Sequence, residues 1–391
     1  MPHVSRGWVT RPPAAHAAGI RDLLIERGPR ARRSVDPAGP PLIRPERTAA
    51  PSLQKPGPEQ APRSEDDGRS VAGGEGPKMI HRIVYATDLS PASEPAWNEA
   101  QRLGRLFGAE IVLLHVVAPL PIFPVEGYVP PQVYEDLIGG ARRDAQEQLD
   151  RVHGSVAGSG LKLRLRLEEG RPATRILEVT TQEAAELLVV GTHGRTGLER
   201  LALGSVADLM VRQARCPVLT VRSTPRTGRR PEIRRICYAT DFSPTARAAW
   251  PWVVALAQAA GAEVDLVHVT FEPVPDRHLS AETLGRMAQV LQDQGRLEAE
   301  RFLEPSTLPR DRVHVHCSPG VPGEQIVRRA QEQAADLVVM GTHGWSGVVR
   351  WMLGSVAHHV IQTASCPVLT VGPASMSEAG RPEAPSNGTR T

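Results

Sequence analysis

Two glycine-rich segments carry the spacing from which chemistry can be argued. Gly191, Gly194, Gly204 and Ser205 stand in the order Gly-x2-Gly-x9-Gly-Ser, and Gly341, Gly344, Gly354 and Ser355 repeat it 150 residues later. In each segment the first glycine ends an apolar run and the last opens an amphipathic one. A glycine loop exposes backbone N–H groups at φ values other residues avoid. A helix N-terminus adds the positive end of its dipole. With a serine hydroxyl beside them, these groups suit an anion such as a polyphosphate. Arg195 stands in the first loop, within reach of a phosphate, and Trp345 takes its place in the second. That exchange removes charge where phosphates are expected and predicts a second site that binds more weakly or differently.

An acidic acceptor is expected across the cleft. Asp88 and Asp241 each follow an apolar run directly, inside Tyr85-Ala-Thr-Asp-Leu-Ser-Pro91 and Tyr238-Ala-Thr-Asp-Phe-Ser-Pro244. There they are placed to accept hydrogen bonds from a ribose or an adenine edge. The backbone of His115-Val116 and His268-Val269, at the end of the next apolar run, frames a base. A single glycine loop is usually only a turn, but here four features recur in order, twice. His193 and His343 have no titratable partner near them in sequence and are read as loop structure. Cys216 and Cys366 precede a proline and an apolar strand and are read as buried packing. Trp250 and Trp252 read as a helix face. No catalytic residue and no metal ligand is assigned.

These residues need a scaffold that brings them to one edge. Cys216-Pro-Val-Leu-Thr-Val221 returns as Cys366-Pro-Val-Leu-Thr-Val371, so the start, middle and end of one unit all recur and the chain is a duplicated domain. In the first copy, strands are predicted near 80–86, 110–117, 161–168, 187–190 and 217–222, with helices near 91–107, 130–153, 172–185 and 203–214. In the second copy the strands fall near 233–239, 263–269, 311–317, 336–340 and 367–372. Runs such as Ile111-Val-Leu-Leu-His-Val-Val117 are apolar on both faces, as strands of a covered parallel sheet must be. Alternation with helices then predicts an α/β class with two doubly wound, open parallel sheets, Rossmann-like. Ser90-Pro91 and Ser243-Pro244 supply an N-cap and a proline at the first helical position. In such sheets ligands bind beyond the carboxyl ends of the strands, where strand order reverses, and the glycine and aspartate motifs fall there.

Composition narrows the function classes. The chain of 391 residues is long enough for two or three domains. Its 46 basic residues stand against 43 acidic ones and aromatics make up 4%, a poor profile for nucleic-acid binding. Four dispersed cysteines without a CxxC pair argue against a disulfide scaffold or a zinc site. No continuous apolar segment is long enough for a membrane anchor, and a cytoplasmic location is expected. Residues 1–78 hold 13 prolines and many arginines and glycines, and a disordered tail is expected there. Met79, directly before the first strand run, is an alternative translation start. The domains are placed at 79–223 and 232–373, with a basic linker at 223–231 and a disordered tail at 374–391.

Both copies resemble the universal stress protein family, whose nucleotide-binding members carry the glycine pattern quoted above. The resemblance spans about 79–223 and 232–373. It implies a five-stranded parallel sheet of the adenine nucleotide alpha hydrolase type in each copy, and ATP bound together with Mg or Mn. It also implies pairing of modules through their last strands, here 218–222 and 368–372, within one chain or, further, in a homodimer.

The leading expectation is a stress-response protein that binds ATP in each domain for regulation, with little or no turnover. Two alternatives stay open: a dimerisation or scaffold module whose glycines only make turns, and a slow ATP hydrolase. A P-loop is excluded because no lysine follows a glycine anywhere. The place after the first strand, Ala86-Thr-Asp-Leu-Ser-Pro91, holds neither a pyrophosphatase loop nor a dinucleotide fingerprint.

Overall fold

The computed structural model describes residues 80–119, 131–192, 203–223, 232–272, 279–344 and 353–376. The expectations for residues 1–78, for most of the linker, and for His193, Gly194, Arg195 and Trp345 lie outside these residues.

The first module runs β1 (Arg82–Thr87), α1 (Glu94–Phe107), β2 (Glu110–Val117), α2 (Pro131–Ser155), β3 (Lys162–Glu169), α3 (Pro172–Gln182), β4 (Leu187–Gly191), α4 (Ser205–Gln213) and β5 (Val218–Val221). The second repeats it as β6 (Arg235–Ala239), α5 (Pro244–Ala260), β7 (Glu263–Thr270), α6 (Ala281–Leu303), β8 (Val313–Pro319), α7 (Pro322–Glu332), β9 (Leu337–Gly341), α8 (Ser355–Thr363) and β10 (Val368–Val371). A short α9 (Pro373–Met376) follows. Pro373 opens a turn that Ser375 closes with its N–H on the Gly372 carbonyl at 3.1 Å, and residues 377–391 lie outside the described residues.

The two expected five-stranded sheets are one ten-stranded sheet in the order β3-β2-β1-β4-β5-β10-β9-β6-β7-β8. Within each module the strands are parallel, while β5 and β10 pair antiparallel with Leu219 opposite Leu369. Around that pair the hydrogen bonds are reciprocal. Thr220 Oγ1 donates to the Val368 carbonyl at 3.1 Å, and Thr370 Oγ1 donates to the Val218 carbonyl at 3.2 Å. A four-residue strand that is buried along its length, as β5 and β10 both are, cannot end a sheet in water without leaving backbone groups unpaired. Each therefore completes the other.

Apolar residues on both faces of the central strands dictate a core on each side. One core gathers Ile83, Tyr85, Leu113 and Val189 with α1, α2, α5 and α6. The other gathers Val84, Val112, Leu188 and Val190 with α3, α4, α7 and α8. Both cores run through both modules. Burying one such aliphatic side chain contributes about 1.5–3 kcal/mol. The outermost strand β3 is charged on one face, where Arg164 and Arg166 pair with Glu183 of the segment after α3. Such charges keep an edge strand from recruiting another.

Strand order reverses between β1 and β4, and again between β6 and β9. The expected ligand cleft of a doubly wound sheet lies at those two points.

Candidate functional site

The turn after β1 is built by its own side chains. Leu89 N–H donates to Thr87 Oγ1 at 3.0 Å, while Ser90 donates to Asp88 Oδ1 from its N–H at 3.1 Å and from its hydroxyl at 2.7 Å. After β6 the same turn has Phe242 N–H on Thr240 Oγ1 at 2.9 Å and Ser243 N–H on Asp241 Oδ1 at 3.0 Å. Both turns force a non-glycine residue to positive φ, 61° at Leu89 and 59° at Phe242. Such backbone costs about 1–3 kcal/mol and persists where surrounding bonds over-determine it. Here the turn fixes the aspartate at the sheet edge.

Tyr85 and Tyr238 anchor the following helices, their hydroxyls donating to the carbonyls of Ser93 at 2.9 Å and Ala246 at 2.7 Å. Ser243 caps α5 as expected, accepting from Ala246 N–H at 3.4 Å. Ser90 does not cap α1. Its hydroxyl is engaged by Asp88, a 3-10 turn at Pro91–Ser93 intervenes, and Ser93 holds the N-cap position.

The glycine side is tied to the sheet by two threonines. Thr192 N–H donates to the Val221 carbonyl at 2.9 Å, and its own carbonyl accepts from Gly204 N–H at 2.8 Å. Thr342 does the same between the Val371 carbonyl and Gly354 N–H, both at 3.0 Å. Each glycine is thus held as the N-cap of α4 or α8, in extended backbone with no side-chain cap. The first intrahelical bonds are those of Asp208 to Gly204 and His358 to Gly354. The N–H groups of Ser205, Val206 and Ala207, and of Ser355, Val356 and Ala357, have no partner within their helices.

Those residues line cavities. The first is about 720 Å³, walled among the described residues by Asp88, Val116, Gly191, Thr192, Gly204 and Ser205, with further residues from α2 and α3. The second is about 390 Å³ and is walled by Asp241, Val269, Gly341, Gly344, Gly354 and Ser355, with residues of α7. Both sizes are in the range of small-molecule sites, about 300–1,000 Å³. Within the described segments the expected site residues line their cavities, except His268, which does not line the second; Gly194 and Arg195 lie outside those segments.

His115 also lines the first cavity, its Nδ1 held 2.8 Å from the Thr87 carbonyl. His343 lines the second cavity; its Nδ1 is 2.9 Å from Thr342 Oγ1, and its carbonyl accepts from the Thr245 hydroxyl. Trp252 is buried and Trp250 packs on Tyr238 and Phe302. All four cysteines are buried and unbridged.

Sequence reasoning missed Thr87, Thr192, Thr240 and Thr342, together with Pro172 and Ile176 of α3, which line the first cavity, and Pro322 and Ile326 of α7, which line the second. The signal was present, since each threonine recurs in the repeated motifs. Among the described residues of the first cavity the charged groups are Asp88 and Asp144. No cluster of three His, Cys, Asp or Glu suited to a metal occurs among the described residues, and no described helix is long and apolar enough to cross a membrane.

Fold and site define a tandem doubly wound α/β protein with a ligand-sized cavity at each topological switch point. The sequence profile of the universal stress protein family matches residues 79–222 and 232–372, and the chain belongs to that family. A universal stress protein of Methanocaldococcus jannaschii is 36% identical over 149 residues, covering 38% of this chain and 85% of that protein. One of Mycolicibacterium smegmatis is 28% identical over 297 residues, covering 74% of this chain and 97% of its own. The crystal structure of a universal stress protein from Archaeoglobus fulgidus shares the fold with a TM-score of 0.53 at 23% identity, covering 75% of this chain and 98% of that one.

Proposed function

We propose that each module binds ATP, and that the protein is a cytoplasmic regulatory nucleotide binder with little or no turnover. The observation that carries this reading is the presence, in the lining of both cavities, of three helix N–H groups at a glycine cap together with an aspartate from the turn after β1 or β6. The N–H groups suit phosphate, the aspartate suits a ribose or base edge, and the floor of Ala86, Leu114, Val116 and Val190 suits a purine face.

An accompanying Mg or Mn ion fits this donor set only as part of the nucleotide. Such ions are held by one or two carboxylates plus phosphates, and Ser205 and Ser355 offer hydroxyl oxygens at the phosphate end. The ion would neutralise phosphate charge.

Mass analysis of nucleotide released from the purified chain, with calorimetric titration of ATP and Mg, tests the reading. Adenine nucleotide bound at two sites is the expected result. No released nucleotide and no binding heat would leave the scaffold reading ahead. That reading has its own support: a Cβ on Gly341 or Gly354 would stand 2.8 Å from the backbone at Ala246 or Thr342, so both glycines are required for packing alone.

A further inference from the structure

The two cavities differ at the end remote from the helix N-termini. In the first module the cavity runs past His115 and Val117 under α2, where Ala141, Asp144, Ala145 and Gln148 line it. In the second, no α6 residue lines the cavity among those described.

The sequence explains the closure. Gly295 of α6 stands where Ala145 stands in α2. A Cβ there would lie 2.8 Å from His268 Cδ2, so α6 rests directly on the counterpart of His115. Phe242, in the place of Leu89, stacks on His268 at 4.8 Å and on Phe302 at 5.7 Å between ring centroids. Phe302 stands where the first module has Val152. Arg247, in the place of Glu94, lies over both rings at 5.8 and 5.2 Å, donates to the Phe242 carbonyl at 2.8 Å and pairs with Glu298 of α6 at 2.7 Å. That stack belongs to the core on this face of the sheet and holds α6 down, while the close approach of Gly295 to His268 leaves α6 no chamber like the one that Ala145 borders under α2.

We infer that the chamber under α2 is a specificity subsite, and that the first module accepts a nucleotide whose base carries an extended, largely apolar substituent which the second module rejects. This rests on the nucleotide reading above, with phosphate at α4 and α8 and the base toward β2 and β7. Sheet order supports that orientation, because β2 and β4 flank β1 on opposite sides. Val117, Ala118, Ala141 and Ala145 give the chamber an apolar wall, and exposed Asp144 sits at its mouth.

The test compares ATP with N6-benzyl-ATP by titration calorimetry on the full chain. The native protein should bind one equivalent of the benzyl ligand. Ala141→Phe, at a half-buried position on α2 that lines the chamber, should lose that ligand at least about tenfold while keeping ATP, a pocket-filling effect of ordinary size. If Ala141→Phe does not fold, Gln148→Phe, at another half-buried position on α2 that lines the chamber, takes its place. Equal benzyl stoichiometry at both modules, or parallel loss of ATP and benzyl ligand in the filled variant, would overturn the chamber while leaving the nucleotide reading intact. Absence of ATP binding would overturn both.

Discussion

Replacing Ser205 or Ser355 by aspartate separates binding from folding, because the two effects have opposite signs. Each serine is the first residue of its helix, behind a glycine that supplies no capping side chain, and each lines its cavity. A carboxylate in a first helical turn stabilises the helix by about 0.3–1 kcal/mol. The same carboxylate repels a phosphate bound at those N–H groups. At a separation of about 5 Å and an effective dielectric constant of about 20, one pair of like charges costs about 3 kcal/mol, equivalent to a loss of about a hundredfold in affinity. Calorimetric titration with ATP and Mg should show that loss at one site for each variant, and thermal melting without nucleotide should show an unchanged or slightly raised midpoint. Affinity preserved within about threefold, on a scale where tenfold is about 1.4 kcal/mol, would refute phosphate binding at the helix N-terminus.

Three further outcomes follow from the geometry. Gly354→Ala should destabilise the chain by about 1–3 kcal/mol in urea unfolding, because the added Cβ would meet the Thr342 carbonyl at 2.8 Å; a glycine variant therefore reports packing before binding. Glu99→Ala should cost about 3–5 kcal/mol, since it removes the partner of Arg102, whose side chain is 12% exposed and whose pKa burial has pushed down to about 10; Glu99→Leu with Arg102→Met should recover most of that loss. Finally, Arg164, with Arg166 beside it, holds the Glu183 carboxyl down at about 2. A carboxylate lowered in the folded state contributes stability that is complete above its ordinary value near 4.5 and lost as pH falls toward 2. The acid limb of stability between those values should flatten in Glu183→Gln.

Strand positions were legible in the sequence to within one or two residues because the central strands are apolar on both faces. The repeated Tyr-Ala-Thr-Asp and Gly-Thr-His-Gly segments marked the cleft because backbone chemistry at a strand end requires particular residue types. Helix starts were read less well. Ser90 resembles Ser243 in sequence, yet one hydroxyl is engaged by its aspartate and the other caps its helix, a choice made by neighbours in space.

By itself, then, the sequence determined the duplicated α/β module, the placement of aspartate and glycine at each sheet edge, and which side chains are apolar, since all of these are local or periodic properties. The expected pairing through β5 and β10 is present, but only the tertiary structure decided that it is antiparallel with Leu219 opposite Leu369, that Thr192 and Thr342 lock the helix N-termini, and that the two cavities differ in size. Those outcomes depend on how closely α2 and α6 approach their strands, and that distance is set by residues such as Gly295, His268, Phe242 and Phe302, which lie far apart in the chain and meet only when it is folded.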